Sequence, residues 1–186
     1  KENSMVKTPD ELFNIYMTSV GRGAVLLLNV PPDKNGLINE ADIIALKGFS
    51  KLLKHKLGKN LAQNATITAT NVRGNAREYS AEKVLDNDAD TYWCTDDGVT
   101  TASLDITLNE TQLVKYILLQ EHIALGQRVM SFEIEALDGE QWKVVGQGTT
   151  IGYKRIIEIP DTITTKLRIR IKASKACPLI SNIEVF

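Results

Sequence analysis

The spacing of apolar residues along the chain changes near Ala62. Before that point apolar side chains recur every three or four positions, which is typical of amphipathic helices. After it they recur at every second position, which is typical of half-buried β-strands. The change predicts two unlike parts, an α/β part over residues 1–62 and a β part over residues 63–186.

The first part predicts a helix, a strand and a second helix. Thr8 and Pro9 form a helix start with acidic residues in the first turn, and this helix should end near Gly21. The second helix should run from Asn39 to Gly58, with its lysines on the solvated face. Between them residues 24–30 are continuously apolar, which favours a parallel strand buried on both faces.

A single parallel strand with two covering helices cannot bury its faces or satisfy its edges. The economical interpretation of residues 1–62 is therefore an incomplete C-terminal end of an α/β barrel. The chain begins Lys1-Glu2-Asn3-Ser4, without an initiator Met or a signal-peptide pattern, so we expect the earlier barrel strands to lie upstream.

The second part predicts many short antiparallel strands. Residues 130–136 and 167–172 alternate strictly, and Asp138-Gly139 fits a hairpin turn. Further strand-like runs cover 102–108, 112–120, 141–146, 154–159 and 182–186. This number of short strands predicts a mainly β fold, an antiparallel jelly-roll β-sandwich. Arg168, Arg170 and Lys172 should then lie on its outer face.

Composition excludes several classes of function. The chain has 186 residues, a hydrophobic fraction of 43% and a formal net charge of −1. These values argue against disorder and against a basic surface made for nucleic acid. No apolar run approaches the roughly 20 residues of a membrane span. The two cysteines, Cys94 and Cys177, are too few for a disulfide scaffold, and the sequence leaves open whether they form one bridge or remain inert thiols.

An acidic loop precedes a pair of aromatic residues, Tyr92-Trp93. Asp86, Asp88 and Asp90 alternate as in an EF-hand, but Thr91 stands where that loop requires glycine, and flanking helices are lacking. Carboxylates, a hydroxyl and carbonyls close together still suit a structural calcium ion. The alternative is an acidic surface turn without metal.

The segment 120–128 should lie at the rim of the sandwich, between two strands. Its polar residues Glu121, His122 and Arg128 are candidates for hydrogen bonds to a glycan, and Tyr153 is a loop aromatic suited to stacking on sugar. Alternatively, the three polar residues pair with one another or hold the sandwich against a neighbouring domain. Trp93 and Trp142 are expected in the core. No set of residues in the chain forms a credible catalytic site, so the chain alone is not predicted to be an enzyme.

Two segments resemble parts of one family. Residues 21–38, Gly-Arg-Gly-Ala-Val-Leu-Leu-Leu-Asn-Val-Pro-Pro-Asp-Lys-Asn-Gly-Leu-Ile, resemble the end of the catalytic barrel of α-L-fucosidases of glycoside hydrolase family 29. Residues 65–186 resemble the coagulation factor 5/8 type C, or discoidin-like, sandwich, which is related to family 32 carbohydrate-binding modules. Residues 119–129 and 148–155 are similar to the form of that sandwich in such fucosidases.

The resemblance implies a secreted or periplasmic hydrolase that removes terminal α-L-fucose, with its catalytic residues upstream of this chain. It implies fucosylated or galactose-containing glycans and the upstream barrel as partners. It also implies a calcium site, with asparagine at position 87 where the family pattern has glycine, held by the carbonyl of Lys83 and the side chains of Asp86, Asp88, Thr91 and Glu184. The alternatives are a non-catalytic, lectin-like module and a structural spacer.

Overall fold

The computed structural model describes residues 5–186, which form two compact units. One unit ends at Lys59 and the other is Asn60–Phe186. Residues 60–62, which the apolar spacing groups with the first part, belong to the second unit. Asn60 Oδ1 accepts the Val185 N–H at 3.0 Å, and Ala62 is fully buried in the sandwich core.

The first unit contains the two predicted helices. Helix α1, Pro9–Thr18, begins with a capping box in which the Thr8 hydroxyl accepts the Glu11 N–H and the Glu11 carboxylate accepts the Thr8 N–H. A 3₁₀ turn, Val20–Arg22, follows. Helix α2, Glu40–Leu57, starts at Asn39, whose side chain accepts the Ala41 N–H. The two helices bury Leu12, Phe13, Ala45 and Phe49.

The predicted parallel strand over residues 24–30 is wrong for this structure. No strand in residues 5–186 pairs with the run, and the nearby bridge joins Pro32 to Ile38. Val25 and Leu27 are 90% and 91% exposed, so the run is not buried on both faces. The reason is physical, because a parallel strand needs hydrogen-bonding neighbours on its edges and cover on its faces.

The second unit is built from strands and 3₁₀ turns. The 3₁₀ turns are Arg73–Asn75, Arg77–Tyr79, Ala81–Val84 and Ile123–Leu125. The strands are β1 Thr66–Ala69, β2 Trp93–Cys94, β3 Ala102–Glu121, β4 Val129–Asp138, β5 Gln141–Gly148, β6 Arg155–Ser174 and β7 Leu179–Val185. The predicted hairpin joins β4 to β5, and Gly139 in its turn has a φ of +61°, which glycine adopts readily.

The strands are antiparallel and hydrogen-bonded in the order β2-β7-β3-β6-β4-β5, with β1 on β3. The predicted runs 102–108 and 112–120 are one strand, β3, and the runs 154–159 and 167–172 both lie in β6. Strand β3 has register irregularities between Thr107 and Gln112 and between Val114 and Tyr116. Its first half pairs with β1 and its last part with β7, so the strand bends between two layers.

The two layers enclose one hydrophobic core, which confirms the predicted β-sandwich. Leu104 and Ile106 from the first half of β3 share this core with Ile117 and Leu119 from its second half. On β6 the alternation is as predicted: Leu167, Ile169 and Ile171 are buried, whereas Arg170 and Lys172 are exposed and Arg168 is half-buried.

The two tryptophans differ in position. Trp93 is fully buried and its indole N–H donates to the Asn71 carbonyl at 2.9 Å, so its prediction as a core residue is confirmed. The prediction of Trp142 as a core residue is wrong, because Trp142 is half-buried on the outer face, where the Arg168 guanidinium lies 4.1 Å from its ring centroid. The guanidinium covers one face of the ring, which allows the indole to remain at the surface.

Candidate functional site

The end of β3 lies beside the two loops that carry the other predicted glycan residues, and Glu121 joins them. Glu121 is 2% exposed. Its Oε1 accepts the backbone N–H groups of Arg128 at 2.7 Å and Val129 at 2.9 Å, and its Oε2 accepts the Gly152 N–H at 2.7 Å. Both oxygens are therefore used inside the protein. These contacts favour the structural alternative for Glu121 over direct glycan binding, because a buried carboxylate satisfied by backbone donors positions loops.

His122 lies in a row of aromatic rings. Its ring stacks on Tyr92 with centroids 4.5 Å apart and planes inclined by 28°. Tyr92 in turn contacts Tyr79, with centroids 5.6 Å apart. All three residues are half-buried, and the backbone N–H of His122 donates to the Leu179 carbonyl at 3.1 Å. We call Tyr79, Tyr92 and His122 the aromatic row.

Arg128 braces the loop that follows His122. Its Nη1 donates to the Cys177 carbonyl at 2.9 Å, and its Nη2 donates to the Leu125 carbonyl at 3.3 Å. Nη1 also lies 2.8 Å from Cys177 Sγ. These contacts favour the structural alternative for Arg128 over direct glycan binding.

Tyr153 is the most open of the predicted ligand residues. Its side chain is 58% exposed, and the Gln120 side chain donates to its carbonyl at 3.1 Å. The preceding residue, Gly152, has a φ of +68°, a left-handed backbone that L side chains rarely adopt. The hydrogen bond from Gly152 to Glu121 fixes this turn, so Tyr153 is presented to solvent on the loop that Glu121 anchors.

The sequence patterns assign no role to Arg73, Tyr79 or Tyr92. Arg73 Nε donates to the Thr95 carbonyl at 3.3 Å, and its Nη2 contacts the Asp97 carboxylate and lies 3.3 Å from Cys177 Sγ. Burial lowers the pKa of the Arg73 guanidinium, but its interactions with Cys94 and Asp97 raise it above the ordinary value. Arg73 and Tyr79 lie in 3₁₀ turns without periodicity, so the only available signal was Tyr92 next to the acidic loop.

The acidic loop is closed by hydrogen bonds among the predicted calcium ligands. The Thr91 hydroxyl donates to Asp86 Oδ2 at 2.7 Å and lies 3.3 Å from the Asp88 carbonyl, and the Asp88 N–H donates to Asp86 Oδ1 at 3.0 Å. Asn87 has a φ of +60°, as expected where the family pattern has glycine. The loop thus gathers carboxylate, hydroxyl and carbonyl oxygens, the donor types that calcium prefers.

Two observations limit how a cation would be held. No group of three or more His, Cys, Asp or Glu side chains in residues 5–186 is arranged as a metal site, so hydroxyl and carbonyl oxygens would have to contribute. Lys83 Nζ lies 3.4 Å from Asp86 Oδ2, an ion pair that a calcium ion would have to displace or adjoin. Glu184 is half-buried on β7, and its Oε1 accepts the Asn182 side-chain N–H at 2.9 Å.

Comparison with known proteins identifies the sandwich. A family model described as the F5/8 type C domain matches residues 66–184. The chain belongs to the F5/8 type C domain family. The match covers the strands and turns that carry the acidic loop, the aromatic row and the Tyr153 loop, so these features are parts of an F5/8 type C domain.

Relatives extend beyond the F5/8 type C domain into the helical unit. A protein of Oryza sativa subsp. japonica whose name denotes an α-L-fucosidase is 37% identical over 97% of this chain and 35% of its own length. Alpha-L-fucosidase 1 of Arabidopsis thaliana is 31% identical over 95% of this chain and 36% of its own length. This chain therefore spans about a third of these curated relatives.

A solved structure gives the same relationship. A glycoside hydrolase family 29 fucosidase of Ruminococcus gnavus, solved in complex with fucose, has a TM-score of 0.89 and 32% sequence identity. The similarity covers 97% of this chain and 37% of that one. No helix within residues 5–186 has the length and apolar character that crossing a bilayer requires.

Proposed function

We propose that this chain is the accessory part of an α-L-fucosidase that removes terminal α-L-fucose from glycans. In this proposal the helical unit completes a catalytic barrel that carries the catalytic residues, and the F5/8 type C domain serves that enzyme. Support comes from the fucosidase relatives, whose similarity covers both units of this chain.

The observation that carries this proposal is the run over residues 24–30. Leu26 and Leu28 are half-buried and line a hollow of about 1070 Å³ together with Leu12 and Ile15. Val25 and Leu27 alternate with them along the run and are 90% and 91% exposed. Leu26 and Leu28 thus pack within the unit, while Val25 and Leu27 are exposed and no strand of residues 5–186 pairs with the run. Neighbouring strands of a barrel would pair with the run and cover its exposed side chains.

A substitution on the open face tests this idea. Leu27→Asp should lower the Tm of the complete gene product by more than about 5 °C, because a leucine buried against barrel strands is worth about 2–5 kcal/mol. The same substitution should leave residues 1–186 alone unchanged within about 1 °C, because Leu27 is exposed there. Val144→Asp, at a residue 54% exposed on β5, serves as the control in both proteins. If Leu27→Asp leaves the Tm unchanged in both proteins, the proposal is contradicted.

We infer that the F5/8 type C domain binds fucosylated or galactose-containing glycans. The aromatic row and the exposed Tyr153 support this inference, because sugars bind through C–H contacts to aromatic faces together with a few fixed polar groups. His122 can contribute an imidazole nitrogen to such a site. In the alternative, the domain is a spacer that binds no sugar.

Calorimetric titration with fucose- and galactose-terminated oligosaccharides distinguishes these alternatives. Under the glycan-binding proposal, the chain binds and Tyr153→Ala weakens binding by at least about tenfold, as expected when an aromatic stacking contact is lost. Trp142→Ala, on the outer face against Arg168, should not change binding. The absence of binding by the folded chain would favour the spacer.

We also propose a structural calcium ion in the acidic loop, held by the carbonyl of Lys83 and the side chains of Asp86, Asp88, Thr91 and Glu184. The hydrogen-bonded gathering of Asp86, Asp88 and Thr91 supports this. A bound ion would neutralise the charge of the neighbouring carboxylates and make the loop more rigid. We propose a secreted or periplasmic location, in line with the resemblance to fucosidases.

A further inference from the structure

Cys94 and Cys177 are far apart in sequence but adjacent in the fold. Both are buried and form one cluster with Leu179, against which Tyr79 and Tyr92 pack. Cys94 on β2 pairs with Leu179 on β7 in the antiparallel ladder. Cys177 lies in the bend before β7, two positions ahead of Leu179. The Arg73 guanidinium lies 3.3 Å from Cys177 Sγ and also interacts with the Cys94 thiol, and the two thiols interact with each other, so the two sulfurs are neighbours.

The two thiols have different surroundings. Cys177 Sγ accepts hydrogen bonds from Arg128 Nη1 at 2.8 Å and Arg73 Nη2 at 3.3 Å, and it lies 3.9 Å from Asp97 Oδ1. Asp97 is exposed, so the Cys177 sulfur lies close to solvent. Cys94 is more enclosed, and its thiol donates to the Thr95 carbonyl at 3.2 Å. Burial, together with the neighbouring Cys177 thiol, raises the pKa of Cys94 to about 11.

We propose that Cys94 and Cys177 form a disulfide in an oxidising compartment, a crosslink directly beneath the aromatic row. An external disulfide such as oxidised glutathione is the oxidant. The sulfur of Cys177 attacks one glutathione sulfur, which forms a mixed disulfide and releases one glutathione thiolate. The sulfur of Cys94 then attacks Cys177 Sγ, which releases the second glutathione. The two thiol protons pass to the two glutathione thiolates, so two protein thiols are oxidised and one glutathione disulfide is reduced.

The surrounding groups tolerate this change. Arg128 retains the carbonyls of Cys177 and Leu125 as acceptors when the Cys177 sulfur becomes part of a disulfide. Arg73 retains the Thr95 carbonyl and the Asp97 carboxylate. Neither of these half-buried guanidinium groups is left without partners, so oxidation carries no large desolvation penalty. The crosslink would join β2 to the loop before β7 and thereby fix Tyr92 against His122. The backbone N–H of His122 already donates to the Leu179 carbonyl at the start of β7.

The test compares the folded chain in oxidised glutathione and in dithiothreitol. Oxidation should remove two hydrogen masses and both titratable thiols, and proteolysis should yield one peptide pair joined through Cys94 and Cys177. The Tm should rise by roughly 10 °C, because the bridge closes a long loop. Cys177→Ser should show no oxidation-dependent Tm shift. Two free thiols in the unfolded protein after oxidation of the wild-type chain would overturn the proposal, and that measurement needs no variant to fold.

Discussion

Glu121 and Gly152 are joined by two hydrogen bonds. The Glu121 N–H donates to the Gly152 carbonyl at 2.9 Å, and the Gly152 N–H donates to Glu121 Oε2 at 2.7 Å. The other carboxylate oxygen accepts the N–H groups of Arg128 and Val129. One buried side chain therefore joins the end of β3, the start of β4 and the Tyr153 loop.

This arrangement predicts a large cost for Glu121→Gln. The amide keeps one acceptor oxygen but brings an NH₂ group against a backbone donor, so at least one buried N–H loses its partner. We expect the free energy of unfolding to fall by about 2–4 kcal/mol in urea titrations. The matched control is Glu133→Gln, which removes a surface ion pair to Lys172 and should cost less than about 1 kcal/mol. Similar small losses for the two variants would show that Glu121 does not hold the loops.

Asn87 offers a test of backbone strain in the acidic loop. Its φ of +60° is tolerated by asparagine and free of cost for glycine, but it is unfavourable for residues such as alanine. Asn87→Ala should therefore lower the free energy of unfolding by about 1 kcal/mol, whereas Asn87→Gly should be neutral or slightly stabilising. Measurement of both variants in calcium-free buffer separates this backbone effect from any ion. If Asn87→Ala leaves the free energy of unfolding unchanged, the turn does not hold its left-handed conformation.

Calcium should stabilise the chain through the same loop. At calcium concentrations about 100 times the Kd, we expect about 2.7 kcal/mol of added stability, seen as a higher Tm. Asp86→Asn should abolish this increase because it removes a carboxylate from the predicted ligand set. Asp90→Asn, outside that set, should retain it. If calcium leaves the wild-type Tm unchanged, the loop is an acidic turn without metal.

Asp96 predicts a specific dependence of stability on pH. Its carboxylate accepts the Gly74 N–H at 2.8 Å and the Asn71 side-chain N–H at 2.9 Å, and these bonds lower its pKa below the ordinary value. A lowered pKa in the folded state adds stability above the ordinary pKa, and this stability is lost as the pH falls through the lowered value. The wild type should therefore exceed Asp96→Asn in urea midpoint at pH 6, and the gap should close near pH 2. A gap that is constant with pH would rule out the charged hydrogen bonds as its source.

Local chemistry made much of the fold predictable from the sequence. The capping residues Thr8 and Asn39 start the two helices where expected, and the alternation over 167–172 gives the correct inward face of β6. Register irregularities near Thr107 and Val114 let β3 bend without ending, so an interruption in apolar alternation looked like a turn. The conformation of residues 24–30 could not be predicted from their own sequence, because a parallel strand forms only where neighbouring strands provide hydrogen bonds.

The candidate site was less predictable because its contacts are distant in sequence. Nothing in the sequence near Glu121 shows that the Gly152 N–H donates to its carboxylate, so the sequence could not choose between a glycan ligand and a structural carboxylate at this position. Tyr92 stacks on His122 although the two residues are distant in sequence, and no pattern around either residue predicts this contact. The hydrogen-bonded gathering of Asp86, Asp88 and Thr91 was predictable because these residues are close in sequence, whereas the position of Glu184 relative to the acidic loop is not a local property.

The most direct test of the proposed function is turnover by the complete gene product that contains this chain. The substrate is 4-nitrophenyl α-L-fucoside, with 4-nitrophenyl β-D-galactoside as a control for general glycosidase activity. We predict release of 4-nitrophenol from the fucoside and not from the galactoside. A folded product that binds fucose-terminated glycans but releases no 4-nitrophenol would contradict the fucosidase assignment and identify the F5/8 type C domain as part of a non-catalytic binding protein.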